Sequence, residues 1–218
     1  MLRQMAEMIA VVERPHPVRV AIDGVDAAGK TILADELAEL IICRARPVLR
    51  ASIDGFHRPR ADRYRRGPDS PEGYYLDSFD HASLRLLLLE PLGPAGDRRV
   101  CTAVYDFRAD EPLAGRRVEL PQDAILVFDG VFLFRPELND QWDFRVFVSV
   151  GFDETLRRAC RRDLALFGSV EATRARCVVR YTPGQRLYMR AVRPQGLADV
   201  VVRNRDPAHP RLLVRRSR

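Results

Sequence analysis

The chain has 218 residues, 46% hydrophobic and 30% charged, enough for one domain with a real core. Fifteen prolines and thirteen glycines are scattered without a low-complexity run, which excludes a disordered chain. The longest aliphatic run, Leu86 to Leu89, falls far short of the ~20 residues that span a bilayer, so no membrane partner is expected. Met1 to Glu13 lacks the basic start and long apolar stretch of a signal peptide, and a soluble cytoplasmic protein is expected. Cys43, Cys101, Cys160 and Cys177 are far apart and unpaired in spacing, which predicts reduced, structural thiols. The net charge of +6 favours anionic partners. Lys30 is the single lysine, and it falls in the strongest motif of the chain.

In chain order, residues 18–22 read as a short strand followed at once by a glycine-containing turn. Leu33, Leu37, Leu40 and Ile41 recur with helical spacing opposite Asp35, Glu36 and Glu39, which predicts an amphipathic helix over 31–43. A second strand is expected over 47–53. Residues 54–120 read as an excursion from the sheet, with a helix over 80–90 and a hairpin pairing 100–105 with 116–120. Strands follow at 124–128 and 144–150, then a helix over 153–167 and a last strand at 198–202. Residues 205–218 form a proline- and arginine-rich tail. Apolar strands alternating with helices predict an α/β fold: a doubly wound parallel sheet of about five strands, helices on both faces, in a single domain over 1–218.

Gly24-Val25-Asp26-Ala27-Ala28-Gly29-Lys30-Thr31 fits G-x-x-x-x-G-K-[ST] in full, between an apolar strand and an amphipathic helix. Such a loop wraps a polyphosphate with backbone N–H groups at a helix N-terminus. Gly24, Asp26, Ala27, Ala28, Gly29, Lys30, Thr31 and Ile32 are therefore expected at the nucleotide. Lys30 would neutralise phosphate charge and the Thr31 hydroxyl would ligate Mg²⁺. Ile125 to Phe128 deliver Asp129 to a strand end, a second Mg²⁺ ligand. Asp54 closes the second strand, where open α/β sheets bind ligands. It could take the proton of an attacking hydroxyl and lean on the metal, or simply serve an Asp-Gly turn. Asp23 reads as a turn or supporting residue. Phe56, Tyr64, Tyr74, Tyr75, Phe79, Tyr105 and Phe107 line a pocket for a flat ring or form the small core of the excursion.

The ordered set of phosphate loop, Asp54-Gly55-Phe56-His57, Leu76 to Asp80, Tyr105-Asp106-Phe107 and Phe128-Asp129-Gly130 resembles the uridine kinase family. Arg162-Asp163, Arg180-Tyr181 and Ala198 to Val201 resemble its C-terminal half, so the likeness covers roughly residues 18–203. The resemblance implies a P-loop kinase fold that moves the γ-phosphate of ATP, with Mg²⁺, to a nucleoside 5′-hydroxyl. It implies Asp54 as the base, Asp77 gripping the sugar hydroxyls, and Tyr105 and Phe107 against the base ring. His57 stands where the family usually has tyrosine, which implies a pocket wall.

The departures fall on acceptor recognition. Asp110 replaces the histidine that ends the family's Tyr-Asp-Phe-x-x-His pattern, and Arg180 replaces a glutamine. Asp129 is shorter than the family's glutamate, and the arginine-rich lid loop is reduced to Phe167-Gly168-Ser169. An altered, charged acceptor is one consequence, with pantothenate, a sugar phosphate or a nucleoside monophosphate as alternatives engaging Arg58, Arg60 or Arg180. The loop also resembles that of thymidylate kinases. Arg157, Arg158, Arg161 and Arg162 form a stripe of the 153–167 helix, a solvated basic face or a source of arginine fingers. Arg162, matching the family's Arg-Asp pair, and then Arg158 are the catalytic candidates. A nucleic-acid-associated ATPase is the reading from another class, but Asp153, Glu154 and Asp163 dilute the basic stripe. The expected partners are therefore ATP and a small-molecule acceptor, and a homo-oligomer is left open.

Overall fold

The computed structural model describes residues 1–43 and 46–214. Helix α1 (Leu2–Ala10) leads into strand β1 (Val18–Gly24), and the phosphate loop passes directly into α2 (Lys30–Ile42). Strand β2 (Val48–Ser52) ends in a 3₁₀ turn, Ile53–Phe56. After the short helix Arg60–Arg63 comes α3 (Pro71–Asp77), and the excursion returns to the sheet at β3 (Ile125–Gly130). Then follow β4 (Phe144–Ser149), α4 (Phe152–Arg162), α5 (Thr182–Val192), β5 (Val200–Arg203) and β6 (Arg211–Val214).

The sheet has six strands in the order β6-β5-β4-β1-β3-β2, one more than expected. Five run parallel, and β6 lies antiparallel on β5, so the stretch expected as a tail supplies an edge strand. Residues 215–218 lie outside the described residues. Period-two alternation splits β1 between two cores. Val18, Val20 and Ile22 pack with Met5, Ile9, Leu37 and Ile41 of α1 and α2. Ala21 joins Phe56, Phe128, Phe147 and Tyr188 on the other face. The sheet therefore buries both faces, which is why its central strands read as unbroken apolar runs.

The expected hairpin forms only at its ends. Arg99–Val100 pairs with Val118–Glu119, while Tyr105–Asp106 turns aside to pair with Glu111–Pro112. The helix expected over 80–90 is a single α turn, His81–Leu84, continued by a wider π turn, Arg85–Leu89. The helix expected over 153–167 stops at Arg162, because Asp163 leaves helical geometry and starts the separate turn Leu164–Phe167. Helices α1 and α5 were not among the expected elements. The four cysteines are free, with Cys43 exposed and the others buried. Among the described residues no helix is long and apolar enough to cross a membrane.

Candidate active site

Parallel register brings three strand ends to one level, with Ile22 opposite Asp129 and Ser52 opposite Asp129. The crevice beyond these C-terminal ends is where an open α/β sheet holds its ligand. Gly24 leaves β1 where a Cβ would stand 2.6 Å from the Val148 carbonyl oxygen. Ala27 (φ 56°) and Gly29 (φ 93°) then take left-handed backbone, curling the loop so that its N–H groups converge. Asn204 Nδ2 donates to the Ala28 carbonyl at 2.8 Å, and Arg158 Nη2 donates to the carbonyls of Asn204 and Arg205. The loop is thus braced from β5 and α4.

Lys30 is buried and donates to the Val25 carbonyl at 2.9 Å. Burial lowers its pKa, while Asp26, Asp23, Asp129 and Asp54 pull it back up. Thr31 Oγ1 donates to Asp129 Oδ2 at 2.7 Å, and Arg50 Nη2 donates to Asp129 Oδ1 at 3.0 Å. A hydroxyl beside a carboxylate is an all-oxygen donor set that fits Mg²⁺, a cation held by one or two protein oxygens with phosphates and water completing its shell. Among the described residues no cluster of three or more His, Cys, Asp or Glu side chains could hold a metal ion.

Beside the loop opens a cavity of about 750 Å³, bounded by Lys30, Thr31, Ile32, Arg158, Arg162 and Asn204, with Met1, Leu2 and Pro207 on its outer wall. Its size and its contact with the loop suit a nucleotide. Arg158 is held by Glu154 Oε1 at 2.7 Å. Arg162 is paired to its neighbour Asp163 at 2.6 and 2.8 Å, with its head largely exposed at the cavity.

Asp54 lies in the 3₁₀ turn just past β2, whose backbone is capped by Ser52. Gly130 lets that turn approach β3, since a Cβ there would meet Ile53 at 2.6 Å. The Asp54 carboxylate is open to the crevice yet walled in by protein. That enclosure, then Asp26, raises its pKa; Asp129 adds to the rise, and Lys30 and Arg162 oppose it. A carboxylate raised in this way is suited to accept a proton. His57 Nδ1 sits 3.0 Å from the Asp54 carbonyl oxygen, and its ring stacks between Phe79 (4.5 Å) and Phe107 (4.6 Å). Tyr105 donates to Asp110 Oδ1 at 3.1 Å.

Two expected acceptor residues are committed elsewhere. Asp77 is 2% exposed, with one oxygen taken by Arg65 at 2.6 Å and the other by Arg66 at 2.7 Å. Burial alone would raise its pKa, but the two guanidiniums hold it below the ordinary carboxylate value. Arg180, also 2% exposed, donates to the carbonyls of Arg63, Gly67, Pro68 and Ser70 and lies over the Tyr64 ring. It clamps the 63–70 segment and faces backbone.

The arrangement also contains contacts that sequence reasoning missed, and Arg50, Gln185 and Tyr188 among its residues. Asp26 Oδ2 accepts from Tyr74 Oη at 2.7 Å and from Gln185 Nε2 at 2.6 Å, joining the phosphate loop to α3 and α5. Beneath the loop the buried Asp23 accepts from Tyr188 Oη and from the Gly24 N–H. Burial pushes the Asp23 pKa up to about 6. Arg50, mid-strand in β2, carried no motif. Gln185 and Tyr188 sit one helical turn apart, a weak signal masked by Pro183-Gly184.

No family model matches the sequence. Uridine-cytidine kinase B of Dictyostelium discoideum is 28% identical over 151 residues, 69% of this chain and 60% of that protein. Uridine-cytidine kinase A of the same organism is 23% identical over 150 residues, 69% of this chain and 29% of that protein. The matches thus span about 60% and 29% of these relatives' lengths. Among solved structures, a possible uridine kinase from Bacillus stearothermophilus has a TM-score of 0.72 at 23% identity, covering 92% of this chain and 96% of that one. D-glycerate 3-kinase from Cryptococcus neoformans has a TM-score of 0.65 at 15% identity, covering 98% and 99%. With a phosphate loop, Asp129 and Asp54 at three adjoining strand ends of a mostly parallel sheet, the chain has the fold of the P-loop kinases and is similar in sequence to uridine-cytidine kinases.

Proposed function

We propose that the protein is an ATP- and Mg²⁺-dependent cytoplasmic phosphotransferase that moves the γ-phosphoryl group of ATP to a small-molecule hydroxyl, a nucleoside 5′-hydroxyl first among them. The observation that carries this reading is Asp54, a carboxylate open to the crevice beside Lys30 and the Thr31–Asp129 pair, with its pKa raised by enclosure. The similarity to two uridine-cytidine kinases supports the acceptor.

The loop N–H groups and Lys30 would hold the polyphosphate, and Thr31 and Asp129 would hold the metal. When bound, Mg²⁺ supplies charge neutralisation across the phosphates. Asp54 orients the acceptor hydroxyl and takes its proton as the oxygen bonds to the γ-phosphorus and the bond to the ADP oxygen breaks. Arg162, at the cavity edge, faces the charge that develops on the transferring group. The ring stack of Phe79, His57 and Phe107, with Tyr105, forms the wall against which the acceptor lies.

The test is ADP release from Mg·ATP against nucleosides, nucleoside monophosphates, pantothenate, sugar phosphates, glycerate and a polynucleotide. A nucleoside should stimulate release. Lys30→Ala should abolish that release, and Asp54→Asn should lower transfer by roughly 10²–10⁴-fold while sparing ATP binding. Stimulation by polynucleotide alone would sink the proposal in favour of an ATPase acting on nucleic acid.

A further inference from the structure

The oxygens of Asp110 have unequal surroundings. Oδ1 accepts three hydrogen bonds, from the Arg60 N–H (2.9 Å), Arg63 Nη2 (3.1 Å) and Tyr105 Oη (3.1 Å). Among the described residues Oδ2 has only Arg60 Nε at 4.0 Å, beyond hydrogen-bond distance, and the side chain is 32% exposed. The carboxylate is also firmly aimed. Asp110 holds a left-handed φ of 62°, its N–H is bonded to the Asp106 carbonyl, and the Asp106 side chain takes the N–H groups of Arg108 and Ala109. A non-glycine residue kept in that conformation is a mark of a position the surrounding structure determines.

The neighbouring wall has the same polarity. A carbonyl oxygen can only accept, so the contact of His57 Nδ1 with the Asp54 carbonyl places the proton on Nδ1. Burial then lowers the ring's pKa to about 4, which leaves Nε2 as a lone pair at neutral pH. No hydrogen bond to Nε2 is made by the described residues. The ring-lined wall therefore offers lone pairs at two points: the free Asp110 oxygen and His57 Nε2. Arg60 and Arg108 stand exposed at its rim.

We propose that Asp110 selects the acceptor: its free oxygen accepts a hydrogen bond from an amino group on a flat heterocycle, so amino-bearing rings are taken in preference to keto-bearing ones. The stacked rings supply the platform for such a heterocycle. A carboxylate oxygen attracts the N–H of an aminopyrimidine and repels the carbonyl oxygen that replaces it in the keto ring. This selection rests on the kinase reading above and narrows its acceptor from pyrimidine nucleosides in general to the cytidine type.

The experiment compares kcat/KM for cytidine, for uridine and for the cytidine analogue with hydrogen in place of the amino group. It uses the full chain as wild type and as Asp110→Asn. Wild type should favour cytidine over both others by about tenfold or more, through KM, as one charged hydrogen bond supports. Asp110→Asn, whose amide can donate or accept, should bring cytidine and uridine to within about threefold. The analogue with hydrogen in place of the amino group needs no variant, so the proposal stays testable if Asp110→Asn folds poorly. Equal use of uridine or of the analogue by wild type overturns it, as does an unchanged ratio in Asp110→Asn. Stimulation only by acceptors without a ring overturns it while the kinase reading stands. If no acceptor stimulates release and Lys30→Ala changes no turnover, the kinase reading falls and carries this one with it.

Discussion

Asp26 sits in a loop whose converging N–H groups attract negative charge, and it is itself an acidic residue. Tyr74 and Gln185 engage the same oxygen, and the Gln185 carbonyl oxygen accepts the Asp26 N–H at 3.3 Å. The charge is thereby tied to α3 and α5, so the loop is fastened to both helices. Tyr74→Phe keeps the ring packed against Phe132 and Tyr181 and removes only the hydroxyl. It should lower stability by about 1–2 kcal/mol in urea denaturation, with a rise in KM for ATP. Gln185→Ala should act alike. The double variant should lose less than the sum, because both donors serve one oxygen. Strict additivity would mean that Asp26 is not their common point.

At the scale of elements, α3 and α5 meet in a close seam, and both bond the phosphate loop through Asp26. A Cβ on Gly184 would lie 2.8 Å from the Pro71 carbonyl oxygen and 2.9 Å from Tyr74 Cδ1. Gly184→Ala should therefore cost about 1–3 kcal/mol by overpacking, even though alanine is the better helix former. A stabilised variant would show that the seam opens freely. The same glycine explains why α5 was illegible: Pro183-Gly184 reads as a breaker, and here proline occupies the first turn while glycine serves close packing. Strands β1, β2, β3 and β4 and helix α2 were legible because burial on one or both faces writes hydrophobic periodicity into the chain. The loop, Asp54 and Asp129 were legible because phosphate chemistry restricts residue type and spacing. The partners of Asp77 and Arg180 were not legible, because a motif names a residue without naming what it touches. Arg65 and Arg66 claim the first, and backbone carbonyls claim the second.

Across the whole molecule, buried ionisable groups set how stability responds to pH. His57 and His81 are both lowered to about 4, chiefly by burial, and His81 Nε2 is buried with no hydrogen-bond partner. Their folded pKa lies below the ordinary 6.5, so the stability they contribute is present above that value and is lost as pH falls toward 4. Asp23 works the other way. Raised from 3.8 to about 6, it contributes stability that is present below 3.8 and is lost as pH rises through 6. Glu137 and Glu154, lowered to about 2, respond mainly below their ordinary 4.5. Between about pH 4.5 and 6, the two histidines therefore oppose Asp23 and Asp54, whose pKa is raised as well. Each histidine adds a slope on the order of 1 kcal/mol per pH unit toward stability rising with pH, and the aspartates subtract from it. His81→Phe removes one of the two rising contributions. Urea denaturation at pH 4.5, 5.25 and 6 should show a slope with pH that is less positive in His81→Phe than in the wild type by roughly one group, on the order of 1 kcal/mol per pH unit. Equal slopes in the two proteins would mean that His81 takes up its proton as readily folded as unfolded, and that its burial has no part in the acid sensitivity.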